Sequence, residues 1–251
     1  MRLNQLPKEP PSGPGPQYEP RNGKLTEVES PPREDEAKAQ AGFHRHLQTD
    51  AHLLAESLQR VANRFPELAD AAKEYSVLLK RDVAEVDVTA IWIVGASLIS
   101  FAPAYREQNV ARTLADPLEP PLDALLQAVV RKHGAFMMGF EQGRDLVSRA
   151  DQFAVGPVRL AEIEPFGSPV LGELTNNSKL VDEKTRALHR PVYDSVTEFG
   201  WSVSRVGYSA YLIGSQQCSG NRKVFDRQRP KCCRGCRNTG ERSRNLRRPE
   251  C

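Results

Sequence analysis

The sequence predicts an all-α protein, and three observations support this expectation. Apolar residues recur every three or four positions from about residue 43 onward, as they do on one face of an α-helix. Four segments carry this pattern, and prolines or turn-rich stretches separate them. The expected fold is an extended antiparallel helical bundle of about four helices with coiled-coil-like stripes, flanked by disordered N- and C-terminal tails.

The charge is unevenly distributed along the 251 residues. Residues 218–251 hold eleven Arg and Lys against three Asp and Glu, a net charge of +8, whereas the whole chain carries only +3. A mildly acidic body therefore carries a strongly basic tail. All five cysteines also lie in that tail, so residues 1–217 use neither cysteine ligands nor disulfides.

The first segment, 1–41, is predicted to be a disordered, proline-rich arm. It contains eight prolines and few large apolar groups, too little apolar surface to offset the entropy of ordering it. It also lacks the apolar core of a secretory signal. We therefore expect a reducing compartment, the cytoplasm, where clustered thiols serve as ligands or stay free.

The helical domain is predicted to span 43–215. Its first helix carries an apolar face that runs from Leu47 to Phe65 and ends at Pro66. A second helix is expected over 66–102, about 55 Å long at 1.5 Å per residue, with Pro103 as its stop. The apolar face of the first helix consists of Leu47, Ala51, Leu54, Leu58, Val61 and Phe65.

Val88 to Tyr105 is a run of 18 residues without a charged side chain. This length is near the lower limit for a membrane span, and the run contains Thr, Ser, Gly and Pro. The segment is interpreted as a buried core helix, with a membrane-embedded helix as the alternative.

A third helix is predicted from Pro120 to about Val147, followed by a loop over 151–178 with a short extended piece at 158–163. A last helix is expected up to residue 214, because its apolar residues repeat every seven positions. Glycines repeat at the same interval in this helix, which predicts the close approach of another helix. These glycines are Gly200, Gly207 and Gly214.

No catalytic motif emerges from the polar residues, so an enzyme is unsupported and no cofactor is expected. His44 and His46 are two residues apart and cannot both face one ion on a helix, and with His52 they are interpreted as exposed or capping side chains. His133 lies on an apolar face and is interpreted as a hydrogen-bonded core histidine. Three acidic residues are expected on a solvated face of the second helix, namely Asp82, Glu85 and Asp87.

The basic tail contains the residues that most resemble a binding motif. One C-x-x-C lies within it, whereas a strong zinc signature has two. The candidate zinc ligands are Cys218, Cys233, Cys236 and Cys251. The cations could also neutralise nucleic-acid phosphates without sequence preference. The candidates for nucleic-acid contact are Arg227, Arg229, Lys231, Arg234 and Arg237.

The composition changes abruptly at Gln217. Alanine is frequent before this residue and does not occur in 218–251, where Arg, Cys, Pro and Gly dominate. Three interpretations stay open: a shifted reading frame, a disordered basic tail, and a metal-binding module.

Three functional hypotheses follow from these patterns. The first is a non-enzymatic helical interaction or scaffold protein that binds a protein partner or associates with itself. The second is a nucleic-acid- or zinc-binding protein that acts through 218–251. The third is a membrane-associated helical protein that uses 88–105 and 199–214, where Trp201 and Tyr208 could lie at the interface.

The shifted-frame interpretation makes a prediction about the coding DNA. An alternative frame after codon 217 should continue the seven-residue apolar repeat of the last helix. Sequencing the gene from an independent source tests this directly. If neither alternative frame continues the repeat, the shifted-frame interpretation is wrong.

Overall fold

A computed structural model describes residues 15–113, 116–155, 160–201 and 204–220. These residues are mostly helical, as the sequence predicts, and they also contain one antiparallel pair of strands. The elements are β1 (Gln17–Arg21), β2 (Lys24–Val28), α1 (Glu34–Gln59), α2 (Pro66–Leu78), α3 (Val88–Val110), α4 (Pro120–Met137), α5 (Glu141–Val155), α6 (Leu160–Asn176), α7 (Glu183–Phe199) and α8 (Ser204–Gly220).

Helix α3 lies at the centre of the fold. It contacts α2, α4, α5, α7 and α8, and its side chains are buried on nearly every side from Val88 to Ala102. The Asp87 side chain begins this helix by accepting the backbone N–H of Ala90 at 3.1 Å. Further along, the Ser100 hydroxyl meets the Ser195 hydroxyl of α7 at 2.5 Å inside the core.

Among the described helices, α3 alone is long and apolar enough to cross a membrane by length and composition. Of its most apolar 18-residue window, 83% is buried inside the protein. Core helices of soluble proteins pass the same test, so this helix is weak evidence for a membrane span. Its burial agrees with the core-helix interpretation of Val88–Tyr105.

The predicted first helix is present, but it ends at Gln59 instead of at Pro66. Val61 and Phe65 of the predicted apolar face lie in the turns that follow, where the N–H of Val61 donates to the Leu58 carbonyl at 3.0 Å. Four residues of the predicted apolar face are buried where α1 packs against α2 and α4, namely Leu47, Ala51, Leu54 and Leu58. The helix begins at Glu34, within the segment predicted to be disordered.

The predicted helix over 66–102 is wrong, because the structure divides it at 79–87. Asp82 turns the chain there: its carboxylate accepts the N–H of Ala84 at 3.0 Å, and its carbonyl accepts the N–H of Glu85 at 2.9 Å. Such local bonds compete with helix continuation. Pro103 does not end α3 either, since it lies on an exposed part of the helix where water can satisfy the carbonyl that loses its partner.

Later segments also depart from the prediction, so the described residues contain eight helices instead of about four. The predicted third helix is interrupted between Met137 and Glu141, and the predicted loop over 151–178 is largely helical. In α6, Gly167 lies directly beneath the Trp201 ring, and the indole N–H donates to Ser168 Oγ at 2.9 Å. Packing thus holds a proline-containing segment in helical form.

Gly200 divides the last predicted helix. Its φ of +75° is in the left-handed region that favours glycine, and the residue ends α7. The regular glycine spacing therefore marks a helix end at this position instead of a helix contact.

The prediction of a disordered arm is corrected for residues 17–28, which form a β-hairpin. Asn22 and Gly23 both adopt positive φ in its two-residue turn, as Asn-Gly does in tight hairpins. Leu25 is completely buried against the helices, and this burial offsets part of the ordering entropy. Residues 1–14 lie outside the described part of the chain.

Gly95 provides a test of the packing around α3. A Cβ at this position would lie 2.1 Å from His133 Cε1, so Gly95→Ala should lower the free energy of unfolding by about 1–3 kcal/mol. Gly134→Ala is the matched control, because its Cβ would meet no atom within 4 Å; it should be neutral or stabilise by up to about 1 kcal/mol. Urea unfolding measures both, and equal effects would contradict the close contact.

Candidate functional site

The hairpin joins the helical body along β2 and the segment that precedes α7. The N–H of Leu25 donates to the Leu180 carbonyl at 2.8 Å, and the N–H of Asp182 donates back to the Leu25 carbonyl at 3.2 Å. The N–H of Glu27 donates to Thr185 Oγ1 at 2.9 Å. These bonds place β2 over the N-terminal end of α7 and the start of α3.

Tyr18 and His189 form a hydrogen-bonded pair beneath the hairpin. The Tyr18 hydroxyl lies 2.8 Å from His189 Nε2, and the two rings meet edge to face. His189 is fully buried, and its Nδ1 has no hydrogen-bond partner. Burial lowers the pKa of His189 to about 3, so the imidazole is neutral at physiological pH.

Two buried carboxyl groups lie beside this pair. Glu27 and Asp87 are each 5% exposed, and each has one oxygen, Oε1 and Oδ2 respectively, without a hydrogen-bond partner. Both residues line a cavity of about 20 Å³, which is room for about one water molecule. Burial, with a contribution from the Asp87 charge, raises the pKa of Glu27 to about 9. Burial also raises the pKa of Asp87.

Basic side chains at the rim of this cavity pair with a third carboxylate. Arg81 and Lys184 both form salt bridges with Glu29, the Arg81 bridge at 2.7 Å. Hydrogen bonds from these two cations lower the pKa of Glu29 to about 2. The rim is therefore a charged triad, whereas Glu27 beneath it is protonated at neutral pH. We name the whole arrangement of Tyr18, Glu27, Glu29, Arg81, Asp87, Lys184 and His189 the hairpin cluster.

A second buried histidine lies in the core between α2, α3 and α4. His133 Nδ1 is 2.8 Å from the Tyr75 hydroxyl, and the ring lies against Gly95. Burial lowers the pKa of His133 to about 3. The prediction of a hydrogen-bonded core histidine at this position is confirmed.

An open groove of about 260 Å³ runs between α2 and α7. Its charged lining consists of Asp70, Lys73, Glu74, Glu183, Arg186 and Arg190. Among the described residues, none of these six forms a salt bridge within 4.0 Å. We call this surface the α2–α7 groove.

One end of the groove is acidic. Burial raises the pKa of Asp194 to about 6, and the nearby charges of Glu67 and Asp70 add to this effect while Arg190 opposes it. Burial followed by the charges of Glu67 and Asp194 likewise raises the pKa of Glu198. Negative charge thus accumulates here without full neutralisation.

The structure separates the three histidines of the first helix. His44 is buried 5.6 Å from the Phe136 ring, which corrects its interpretation as exposed or capping. His46 and His52 face solvent, and His52 lies 3.5 Å from Glu56. The reason is helical geometry: position 44 falls on the buried face with Leu47.

The three acidic residues lie on a loop and a helix start instead of a helix face. Asp82 and Glu85 are exposed in the loop between α2 and α3, as expected for solvated carboxylates. Asp87 is buried, which corrects its assignment to a solvated face, because it caps α3 beneath the hairpin.

The candidate residues of the tail lie outside the described residues, with one exception. Cys218 falls within α8, although its side chain is not described. The other candidates are Cys233, Cys236 and Cys251 for zinc, and Arg227, Arg229, Lys231, Arg234 and Arg237 for nucleic acid. Within the described part, no group of three or more His, Cys, Asp and Glu side chains could hold a metal ion.

The sequence analysis did not identify the hairpin cluster. The Asn22-Gly23 turn signal could have found the hairpin, since Asn-Gly between short strands is a strong hairpin indicator. Nothing in the sequence near Tyr18 or His189 indicates that these side chains meet, because 171 positions separate them.

Comparison with protein-family models, with curated proteins and with solved structures finds no match for this chain.

The Tyr18–His189 bond has a measurable consequence for stability. Tyr18→Phe leaves both nitrogens of the buried His189 ring without a partner, which should lower the free energy of unfolding by about 1–3 kcal/mol. The control is Tyr193→Phe, at a half-buried tyrosine on the same helix as His189. Urea unfolding at neutral pH compares the two, and an equal loss in both variants would contradict the role of the bond.

Proposed function

We propose that the protein is a non-enzymatic helical interaction protein, an antiparallel helical bundle that associates with a second copy of itself through the α2–α7 groove. The observation that carries the proposal is the lining of this groove. It presents three cations and three anions to solvent without pairing them among themselves. Charged side chains that line a concave surface and form no salt bridge with one another are available to bind a partner.

The balance of charge favours a second copy as the partner. In a two-fold symmetric dimer the same patch meets itself, so it must be complementary to itself. A patch with equal numbers of Lys or Arg and of Asp or Glu meets that requirement, whereas a patch of one sign would repel its copy. The acidic end at Asp194 and Glu198 would then face cations of the partner copy.

The burial of α3 supports the same class of function. Its apolar surface is used inside the protein and is not available to a partner. Interfaces between soluble proteins surround an apolar core with a polar rim. In the groove, Ala187 and Pro191 supply that apolar component.

Charge reversal in the groove tests the proposal. The double variant Arg186→Glu and Arg190→Glu should weaken self-association at least about tenfold, because like charges replace complementary ones across the interface. Sedimentation velocity over a wide concentration range measures the effect. Reducing conditions keep the five cysteines of 218–251 from forming disulfides between chains, which would be measured as association.

The control for this experiment changes the net charge by the same amount elsewhere. Arg45 on α1 and Arg131 on α4 are exposed and lie outside the groove, so Arg45→Glu with Arg131→Glu should retain the association. High salt should weaken association of the wild-type chain. A wild-type chain that stays monomeric throughout, or equal weakening by both double variants, would refute the proposal.

A further inference from the structure

The hairpin Gln17–Val28 depends on the helical body for its position. A two-stranded sheet is marginally stable in water on its own, so contacts beneath it decide whether it stays in place. Three main-chain donors anchor it: the amides of Leu25, Glu27 and Asp182. Its other attachments include the burial of Leu25 in the core and the side-chain contacts of the hairpin cluster.

Glu27 is the one carboxyl group of β2, and ionisable groups from every neighbouring element face it. They are Tyr18 on β1, Glu29 after β2, Glu74 on α2, Arg81 in the following loop, Asp87 at the start of α3, and Asp182 and Lys184 around the start of α7. His189 of α7 is hydrogen-bonded to Tyr18 in turn. The two cations in this set, Arg81 and Lys184, both bind Glu29. Within the described residues, no salt bridge within 4.0 Å therefore neutralises Glu27.

The space beside Glu27 does not admit a larger ligand. The cavity holds about one water molecule, and the described residues contain no cluster of three metal-binding side chains. A proton is therefore the ion that this carboxyl group can bind and release while the hairpin is closed.

We propose that the hairpin is a proton-dependent strap: it lies closed over α3 and α7 while Glu27 keeps its proton, and it detaches from the helices when Glu27 becomes ionised. An ionised Glu27 would face Asp87 across this small cavity, and the two cations that line the cavity, Arg81 and Lys184, are already paired with Glu29. Detachment returns the carboxylate to water, where its hydration is restored.

The direction of the pH dependence follows from the difference between the closed and open states. In the closed state the pKa of Glu27 is about 9, against 4.5 for an exposed glutamate. The ratio of closed to open hairpin therefore falls about tenfold per pH unit between these two values and is constant above the higher one. Burial also raises the pKa values of Asp87 and Glu74, which act in the same direction.

His189 has the opposite effect at lower pH. Its pKa of about 3 in the closed state, against 6.5 for an exposed histidine, means that closure weakens as pH falls below 6.5. Between 4.5 and 6.5 the contributions of His189 and Glu27 oppose each other, so the net effect of Glu27 is clearest between pH 6.5 and 9. Glu29 and Asp182 have lowered pKa values, so their titration changes the closed-to-open ratio only below this pH range. Tyr18 has a raised pKa, so its titration changes the ratio only above the range.

Amide hydrogen exchange on the full chain tests the strap. The reporters are the amides of Leu25, Glu27 and Asp182, which hold the hairpin to the body, with buried amides of α3 as the internal reference. From pH 6.5 to 9, protection factors corrected for intrinsic rates should fall about 150-fold at the reporters, because Glu27 loses tenfold per pH unit until it is half ionised in the closed state at pH 9. The reference amides should keep higher protection throughout. An equal fall at the reporters and in α3 would show global unfolding and overturn the proposal.

Two variants assign the effect to Glu27. Glu27→Gln replaces the protonated carboxyl group with a neutral group of the same shape and should reduce the pH dependence by one proton, about tenfold per pH unit. Glu107→Gln, at an exposed position of α3, should leave the pH dependence unchanged. Asp87→Asn keeps a helix-capping side chain and removes the neighbouring charge, so the decline should level off at a lower pH. Unchanged pH dependence in Glu27→Gln would overturn the proposal.

Discussion

The enclosure of α3 is the constraint on which the rest of the structure depends. This helix is apolar on nearly every side, so no single partner could cover it, and five other helices contact it. Removing each large apolar side chain from water stabilises the fold by roughly 1.5–3 kcal/mol. Helices that surround a common centre cannot all be long and straight. The interruptions at 79–87, at 138–140 and at Gly200 let the chain turn back around α3 repeatedly.

Several of the polar groups that enter this core are accommodated in pairs. Ser100 meets Ser195, His133 meets Tyr75, and Asp87 caps the first turn of α3. A buried polar group without a partner costs about 1–3 kcal/mol, so each pair also fixes how the surrounding helices are oriented. The histidines stay neutral for the same reason, since burial opposes a charged imidazole.

Helix α7 connects the two features with functional interest. Near its N-terminus, Thr185 and His189 face the hairpin, while Glu183, Arg186 and Arg190 line the α2–α7 groove. Helix α2 has a similar position, because Glu74 borders both the groove and the cavity beside Glu27. The hairpin cluster and the groove are therefore adjacent surfaces of the same two helices. A change in the conformation of one would therefore alter the surroundings of side chains that also belong to the other.

The sequence by itself determined the helical class, the buried face of α1, the core role of His133 and the burial of Val88–Tyr105, because periodicity and local hydropathy report which side of an element is apolar. Only the tertiary structure decided where helices are interrupted, where the 17–28 hairpin attaches to the helices and that α6 is helical. It also placed Glu27 beside Asp87 and His189 beside Tyr18. These outcomes depend on contacts between residues far apart in the chain, such as Trp201 over Gly167, and local pattern carries no information about such contacts.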